Sequence, residues 1–128
     1  MRKAAKSLGY ALAGIAHVLA TERNFLLFLL GCVPVAALGW VLVISTTEWT
    51  MLVTAGGVFL TVELINTSIE RLVDTFDDYQ KRLVGSHYHL GLKFTKDVSS
   101  AAALMSLITV VAVILIIFLP RLIPLFAS

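Results

Sequence analysis

Cysteine, charge and phosphate-binding motifs are the scarce features of this chain of 128 residues. Cys32 is the only cysteine, which excludes an intrachain disulfide, and no Cys/His spacing suggests zinc. Charged residues make up only 14%, well below a soluble globular domain. No G-x-x-x-x-G-K-[ST] run occurs, so a P-loop cradle is excluded, and the protein-kinase signature set is missing as well. No repeat, low-complexity tract or linker divides the sequence, so one small domain over residues 1–128 is expected. The formal net charge is +2, and no nucleic-acid partner is expected.

What the chain has is apolar length. It is 59% hydrophobic, with a mean hydropathy of +0.93. Three stretches, about 25–44, 49–73 and 98–119, match the roughly 20 residues a helix needs to cross a bilayer. Pro34 removes a backbone donor inside the first, and Pro120 and Pro124 are expected to close the third. The fold expected is an all-α membrane protein. Arg2, Lys3, Lys6 and Arg23 precede the first span, and Arg71, Lys81, Arg82, Lys93 and Lys96 surround the connection at about 74–97. The turn Ser45–Glu48 has no basic residue. The positive-inside rule therefore puts the N-terminus and the long connection in the cytosol. Residues of about 2–20 resemble a short signal peptide, but Leu8, Leu12, Ile15 and Leu19 share one helical face opposite Lys3, Lys6, Tyr10, His17 and Thr21. That pattern favours an amphipathic helix lying on the membrane surface.

The second span carries polar residues that a lipid-facing helix would not. In VELINTSIERLVD, Glu63, Asn66, Glu70 and Asp74 stand at offsets 0, 3, 7 and 11. At ~100° per residue they fall in a sector roughly 80° wide. A carboxylate in lipid costs several kcal/mol, so such a stripe faces a cavity, a partner charge or a cation. Glu63 lies roughly 9 Å inside the cytosolic boundary, where a lipid hydroxyl would sit and where a carboxylate can serve as general base. Glu70, nearer water, suits a hydrated Mg²⁺ carrying nucleotide phosphates. The plainer reading pairs these acids with Arg71 or Lys96 across the bundle.

Glu22, at the mouth of the first span, reads alone as a helix N-terminal charge with Thr21 as a cap, and beside Glu70 as a second metal ligand. Lys96–Asp97 opens the third span, either snorkelling and capping or meeting phosphate. Ser99, Ser100, Ala101, Ala102, Ala103 and Ser106 form a small-residue face for close helix packing, and Gly56 and Gly57 offer the same in span two. The loop GSHYHLGLKF holds His87, Tyr88 and His89, readable as a solvated loop, a weak metal site or rings that stack on a base.

The run VELINTSIERLVD, then GSHYH, then TKDVSSAAAL, together with the earlier GY…TERNF, closely resembles the prokaryotic diacylglycerol kinase and undecaprenol kinase family over nearly the whole chain. The resemblance implies a homotrimer of three membrane helices and one surface helix per subunit in the bacterial cytoplasmic (inner) membrane. It implies transfer of the γ-phosphoryl group of MgATP to a lipid alcohol, diacylglycerol first and undecaprenol as the alternative. It implies Glu63 as catalytic base, Glu22 and Glu70 as metal ligands, and Asn66 and Asp74 in support. It places Lys3, Tyr10, His87, Tyr88, His89, Lys96 and Asp97 around the nucleotide and Ser100 near lipid, with active sites shared between subunits. Two departures stand out. The interval between Asp74 and Lys96 is longer than is usual for the family by about two helical turns, and its apolar spacing at Leu72, Phe76 and Leu83 predicts a helix that continues to Gly85. Phe28 stands where many members have a polar residue. Two other classes compete. A proton-coupled transporter would need polar residues in the outer half of the bundle, where spans one and three have almost none. A non-catalytic membrane subunit leaves the stripe unexplained.

Overall fold

A computed structural model describes residues 2–85 and 90–126. It contains four helices: α1 (Arg2–Thr21), α2 (Arg23–Val41), α3 (Thr46–Val84) and α4 (Leu90–Phe126). Helices α2, α3 and α4 are long and apolar enough to cross a membrane. The all-helical architecture is the one expected from composition. Helices α3 and α4 form the main packed pair, with α2 against α3 and α1 against α2.

The helices run beyond the apolar stretches that announce them. Helix α3 has 39 residues, which at 1.5 Å per residue rise about 58 Å, against a hydrocarbon core of about 30 Å. Its start is fixed by a capping box, in which the Ser45 hydroxyl accepts the Glu48 N–H and the Glu48 carboxylate accepts the Ser45 N–H. Thr46–Glu48 is therefore the first helical turn. The sharp connection lies at 42–45, where Val43 takes a φ of 47°. Helix α3 ends at Val84, followed by Gly85 with φ 84° and ψ 175°, a conformation open mainly to glycine. Helix α4 already begins at Leu90. Helices α3 and α4 thus extend into the stretch of about 74–97, as the apolar spacing before Gly85 predicts for α3, and Lys96–Asp97 lies inside α4 instead of opening it. Pro120 and Pro124 do not close α4, which continues to Phe126. Each proline forfeits one backbone bond, and α4 continues past both; the Arg121 guanidinium donates to the Ile117 carbonyl at 2.7 Å.

One cluster of buried apolar side chains lies away from the acidic stripe. Ile44, Leu52, Ile117 and Phe118 form a cluster joined by Leu38 and Trp49. Gly39 allows this packing: a Cβ there would stand 3.0 Å from Ile44 Cδ1 and from the Trp49 ring. Within this chain nothing lies within 4 Å of a Cβ built at Gly56 or Gly57. At the same end Arg121 forks onto Glu48, Nη1 to Oε1 at 2.8 Å and Nη2 to Oε2 at 3.0 Å. This guanidinium, with the Ser45 donors, holds the Glu48 carboxyl down at about 2. Glu48 precedes the apolar stretch, which opens at Trp49. Phe28 on α2 meets Phe59 on α3 edge to face at 4.8 Å.

Candidate active site

Polar burial concentrates at the other end of the α3–α4 pair. The buried polar residues among those described are Asn66, Thr67 and Ser99. Asn66 and Thr67 follow one α-helical turn after Glu63, and Ser99 on α4 lines a groove with Asn66. A groove of about 530 Å³ runs between the two helices here, with Asn66 and Ile69 on one wall and Thr95, Val98 and Ser99 on the other.

The stripe is held together in part. Asn66 Nδ2 donates to Glu70 Oε1 at 3.4 Å, and Ser100 Oγ donates to the same oxygen at 3.3 Å. Ser100, expected near lipid, thus touches the expected metal ligand from α4. Asn66 Oδ1 is buried without a hydrogen-bond partner. Glu63 is half-buried and lies within Coulombic reach of both Glu70 and Glu22. Among the described residues it is the stripe acid that makes no hydrogen bond or ion pair.

The two remaining acids are paired with cations, which the plainer reading of the stripe anticipated for Asp74 but not for Glu22. Asp74 accepts from Lys96 Nζ at 2.8 Å. Glu22 is the one-residue break between α1 and α2, with extended φ and ψ of −106° and 100°. Its carboxylate accepts from Arg71 Nη2 at 2.7 Å and Nε at 3.3 Å. Arg71 also reaches the Thr21 hydroxyl and the His17 imidazole, so it ties the end of α1 to α3. Glu22 receives no cap from Thr21, whose hydroxyl instead donates to the His17 carbonyl at 2.8 Å. Arg71 and the buried Thr67 and Ser99 are the residues that the sequence reading did not place in the site.

The other expected residues are not assembled by this arrangement. Lys3 and Tyr10 are exposed on α1, and Asp97 is exposed on α4 next to Lys96. His87, Tyr88 and His89 lie outside the described residues.

The donor set decides which ion fits. Among the described residues no three His, Cys, Asp or Glu side chains converge, which argues against a cage for a soft or all-protein-bound metal. A Mg²⁺ ion takes one or two carboxylates and keeps water and phosphate for the rest. Glu70, with the unpartnered Asn66 Oδ1 one turn away, is an oxygen-only set of that kind. Glu22 is held by Arg71 through one oxygen, Oε1.

Comparison with known proteins fits this geometry. Residues 9–118 match the family described as prokaryotic diacylglycerol kinase. Undecaprenol kinase of Bacillus subtilis (strain 168) is 31% identical over 117 residues, covering 91% of this chain and 89% of that protein. Diacylglycerol kinase of Synechocystis sp. is 31% identical over 119 residues, covering 93% of this chain but 64% of that longer protein. With a family match across most of its length, an acidic stripe on a membrane-crossing helix and no soluble-kinase motif, the chain belongs to the prokaryotic diacylglycerol kinase family, and it is a lipid kinase.

Proposed function

We propose that the protein transfers the γ-phosphoryl group of MgATP to the hydroxyl of diacylglycerol at the cytosolic face of a bacterial inner membrane, working as a homotrimer with shared sites. The observation that carries this reading is Glu63: a half-buried carboxylate with no partner among the described residues, set between Glu70 and Glu22. A structural acid at this depth would be expected to hold a cation, as Glu22 and Asp74 do. An acid kept unpaired suits a general base that takes a proton from an alcohol arriving through the bilayer.

Each neighbour then has a task. Asn66 and Ser100 fix Glu70 by hydrogen bonds from two helices, so that its carboxylate needs no reorganisation when phosphate arrives. Glu70 and Glu22 are the carboxylates that would hold Mg²⁺, and Asn66 Oδ1 is free to accept from its hydration water. When bound, the ion supplies charge neutralisation for the phosphates. Lys96, released from Asp74, brings a compact positive charge to the nucleotide, with Asp97 next to it in the chain; Lys3 and Tyr10, on α1, are assigned to the nucleotide by the family resemblance. Phosphoryl transfer of this kind depends on positioning and electrostatics more than on covalent chemistry. The amphipathic α1, on the membrane surface, holds Glu22 at the mouth.

A second acceptor, undecaprenol, is favoured by one observation: the relative of that name is matched over 89% of its length, the one named for diacylglycerol over 64%. The test measures MgATP-dependent phosphorylation of diacylglycerol and undecaprenol side by side in detergent. Glu63→Gln is expected to abolish turnover while leaving the oligomer intact. Retained lipid phosphorylation in that variant sinks the base assignment, and a preference for undecaprenol sinks the acceptor.

A further inference from the structure

We propose that a slot between the cytosolic extension of α3 and the first turns of α4 receives the purine base of the nucleotide, with Gln80 reading its amino edge and Phe76 stacking on its face. Crossing the hydrocarbon from Trp49 takes about 20 residues, to about Ile69. Phe76 and Gln80 lie seven and eleven residues further along α3, roughly 10–17 Å beyond the hydrocarbon edge, so lipid does not fill the space beside them. A pocket of about 460 Å³ opens there, lined by Phe76 and Gln80 from α3 and by Gly91, Leu92 and Thr95 from α4. Phe76 and Gln80 both belong to the stretch that lengthens the interval between Asp74 and Lys96.

The chemistry of the slot suits a base and not a phosphate or a metal. None of the five lining residues carries a charge. Phe76 offers a ring that is 54% exposed, a platform on which a base stacks. Gly91 leaves open space where a side chain would project, so a flat ring can approach the α4 backbone. Gln80 Oε1 is buried with no hydrogen-bond partner among the described residues, a costly state for an amide oxygen. Such an amide pairs with adenine through two bonds. Its oxygen accepts from the exocyclic amino group, and its NH₂ donates to a ring nitrogen. Guanine carries a carbonyl oxygen where adenine has that amino group, so it meets Gln80 oxygen to oxygen. The Thr95 hydroxyl proton is committed to the Gly91 carbonyl at 3.0 Å, so the amide of Gln80 carries the discrimination. Thr95 also lines the groove that holds Asn66, and the slot thereby continues the candidate active site toward the cytosol. Gln80 stands ten residues beyond Glu70 and six beyond Asp74, the partner of Lys96, about 15 and 9 Å along the helix. A nucleotide with its phosphates at Glu70 and Lys96 then lies extended along the helix pair, with its base at Gln80.

The assignment of the slot rests on MgATP as the phosphoryl donor and adds the residues that choose its base. The full chain, in detergent with a lipid alcohol, is assayed for kcat and KM with MgATP and with MgGTP. The wild type is expected to prefer ATP. Gln80→Leu, close in size but without the amide, should lose roughly fivefold or more of that preference through KM for ATP, with kcat within about twofold. Gln80→Glu presents two acceptors, which suit the paired N–H donors of guanine, and should move the preference toward GTP. It reads the same slot if the leucine variant fails to fold. Phe76→Ala should raise KM for both nucleotides alike, since stacking tolerates any base. A merely structural Gln80 would lower the thermal midpoint on substitution and leave the ratio of the two nucleotides where it was. An unchanged ratio in the Gln80 variants, an unchanged KM in Phe76→Ala, or a wild type that uses ATP and GTP equally overturns the slot and leaves the proposed function standing. A wild type that phosphorylates lipid with neither nucleotide removes both.

Discussion

The Arg71 guanidinium sits 2.7 Å from the Glu22 carboxylate and joins the break between α1 and α2 to the helix that carries the acidic stripe. The pair is semi-exposed, 40% and 35% for the two side chains, so it contributes no more than about 1 kcal/mol to stability. Its larger consequence is positional, because both Arg71 bonds fall on Glu22 Oε1 and so orient the carboxylate. Arg71→Ala is expected to change the thermal midpoint in detergent by only a few degrees. It should lower lipid phosphorylation several-fold and shift its magnesium dependence, because Glu22 loses the group that places it. Arg71→Lys, which keeps the charge but not the forked geometry, should fall in between. Magnesium dependence that is unchanged in Arg71→Ala would remove Glu22 from the metal site.

Lys96 and Asp74 pose the same question on α4. Their 2.8 Å pair is exposed on the acid's side, 34% and 63%, and as a surface ion pair is worth up to about 1 kcal/mol. A purely structural pair is restored by exchanging its members. The double variant Asp74→Lys/Lys96→Asp is therefore expected to unfold close to the wild-type temperature, yet to lose at least a hundredfold in kcat, since the cation no longer projects from α4 toward the phosphates. Recovery of activity in the exchanged pair would reduce Lys96 to a structural role.

The spans and the stripe were legible because each rests on a repeat in one dimension. Twenty apolar residues make a crossing, and offsets of three and four place Glu63, Asn66, Glu70 and Asp74 on one face. The continuation of α3 to Gly85 could be read the same way, from Leu72, Phe76 and Leu83. The start of α4 could not. Leu90 to Lys96 has no acidic or hydroxyl cap at its head, and Lys96–Asp97 imitates a helix opening. The prolines misled for a related reason: Pro120 and Pro124 are strong stop signals in water, yet each removes a single backbone donor and α4 runs on through both. The sequence offered Arg71 and Lys96 as cations for the stripe but not which acid each would meet. Arg71 could have met any of the four stripe residues or Glu22, and only the approach of α1 to α3 selects Glu22. Ser100 reaching Glu70 from α4 likewise depends on the packing of two helices.

Gly39 tests whether the apolar cluster and the site are separable. A methyl group there would enter within 3.0 Å of two Trp49 ring atoms and Ile44 Cδ1. The isoleucine terminus can turn away, but the indole is wedged against the α2–α3 connection. Gly39→Ala is expected to destabilise the folded chain by about 1–3 kcal/mol through overpacking. Residual activity, measured well below the lowered midpoint, should stay near wild type because the cluster lies at the far end of the bundle from Glu63. A Gly39→Ala protein with wild-type stability would show that the Trp49 contact is loose.

The Arg121–Glu48 fork makes a prediction in pH. The guanidinium and the Ser45 donors hold the Glu48 carboxyl down at about 2, from an ordinary value of 4.5. A carboxylate whose folded-state value is depressed stabilises the fold above its unfolded value, and that contribution is lost as pH falls toward the folded one. Wild type and Glu48→Gln should therefore differ in thermal midpoint by a constant amount above about pH 5. The difference should shrink below 4.5 and vanish near 2. Arg121→Gln should show the same midpoint loss at neutral pH, and the double variant should lose little more than either single one, because both substitutions remove one interaction. Additive losses would mean that Glu48 acts mainly through its bond to the Ser45 N–H, with Arg121 anchored by the Ile117 carbonyl alone.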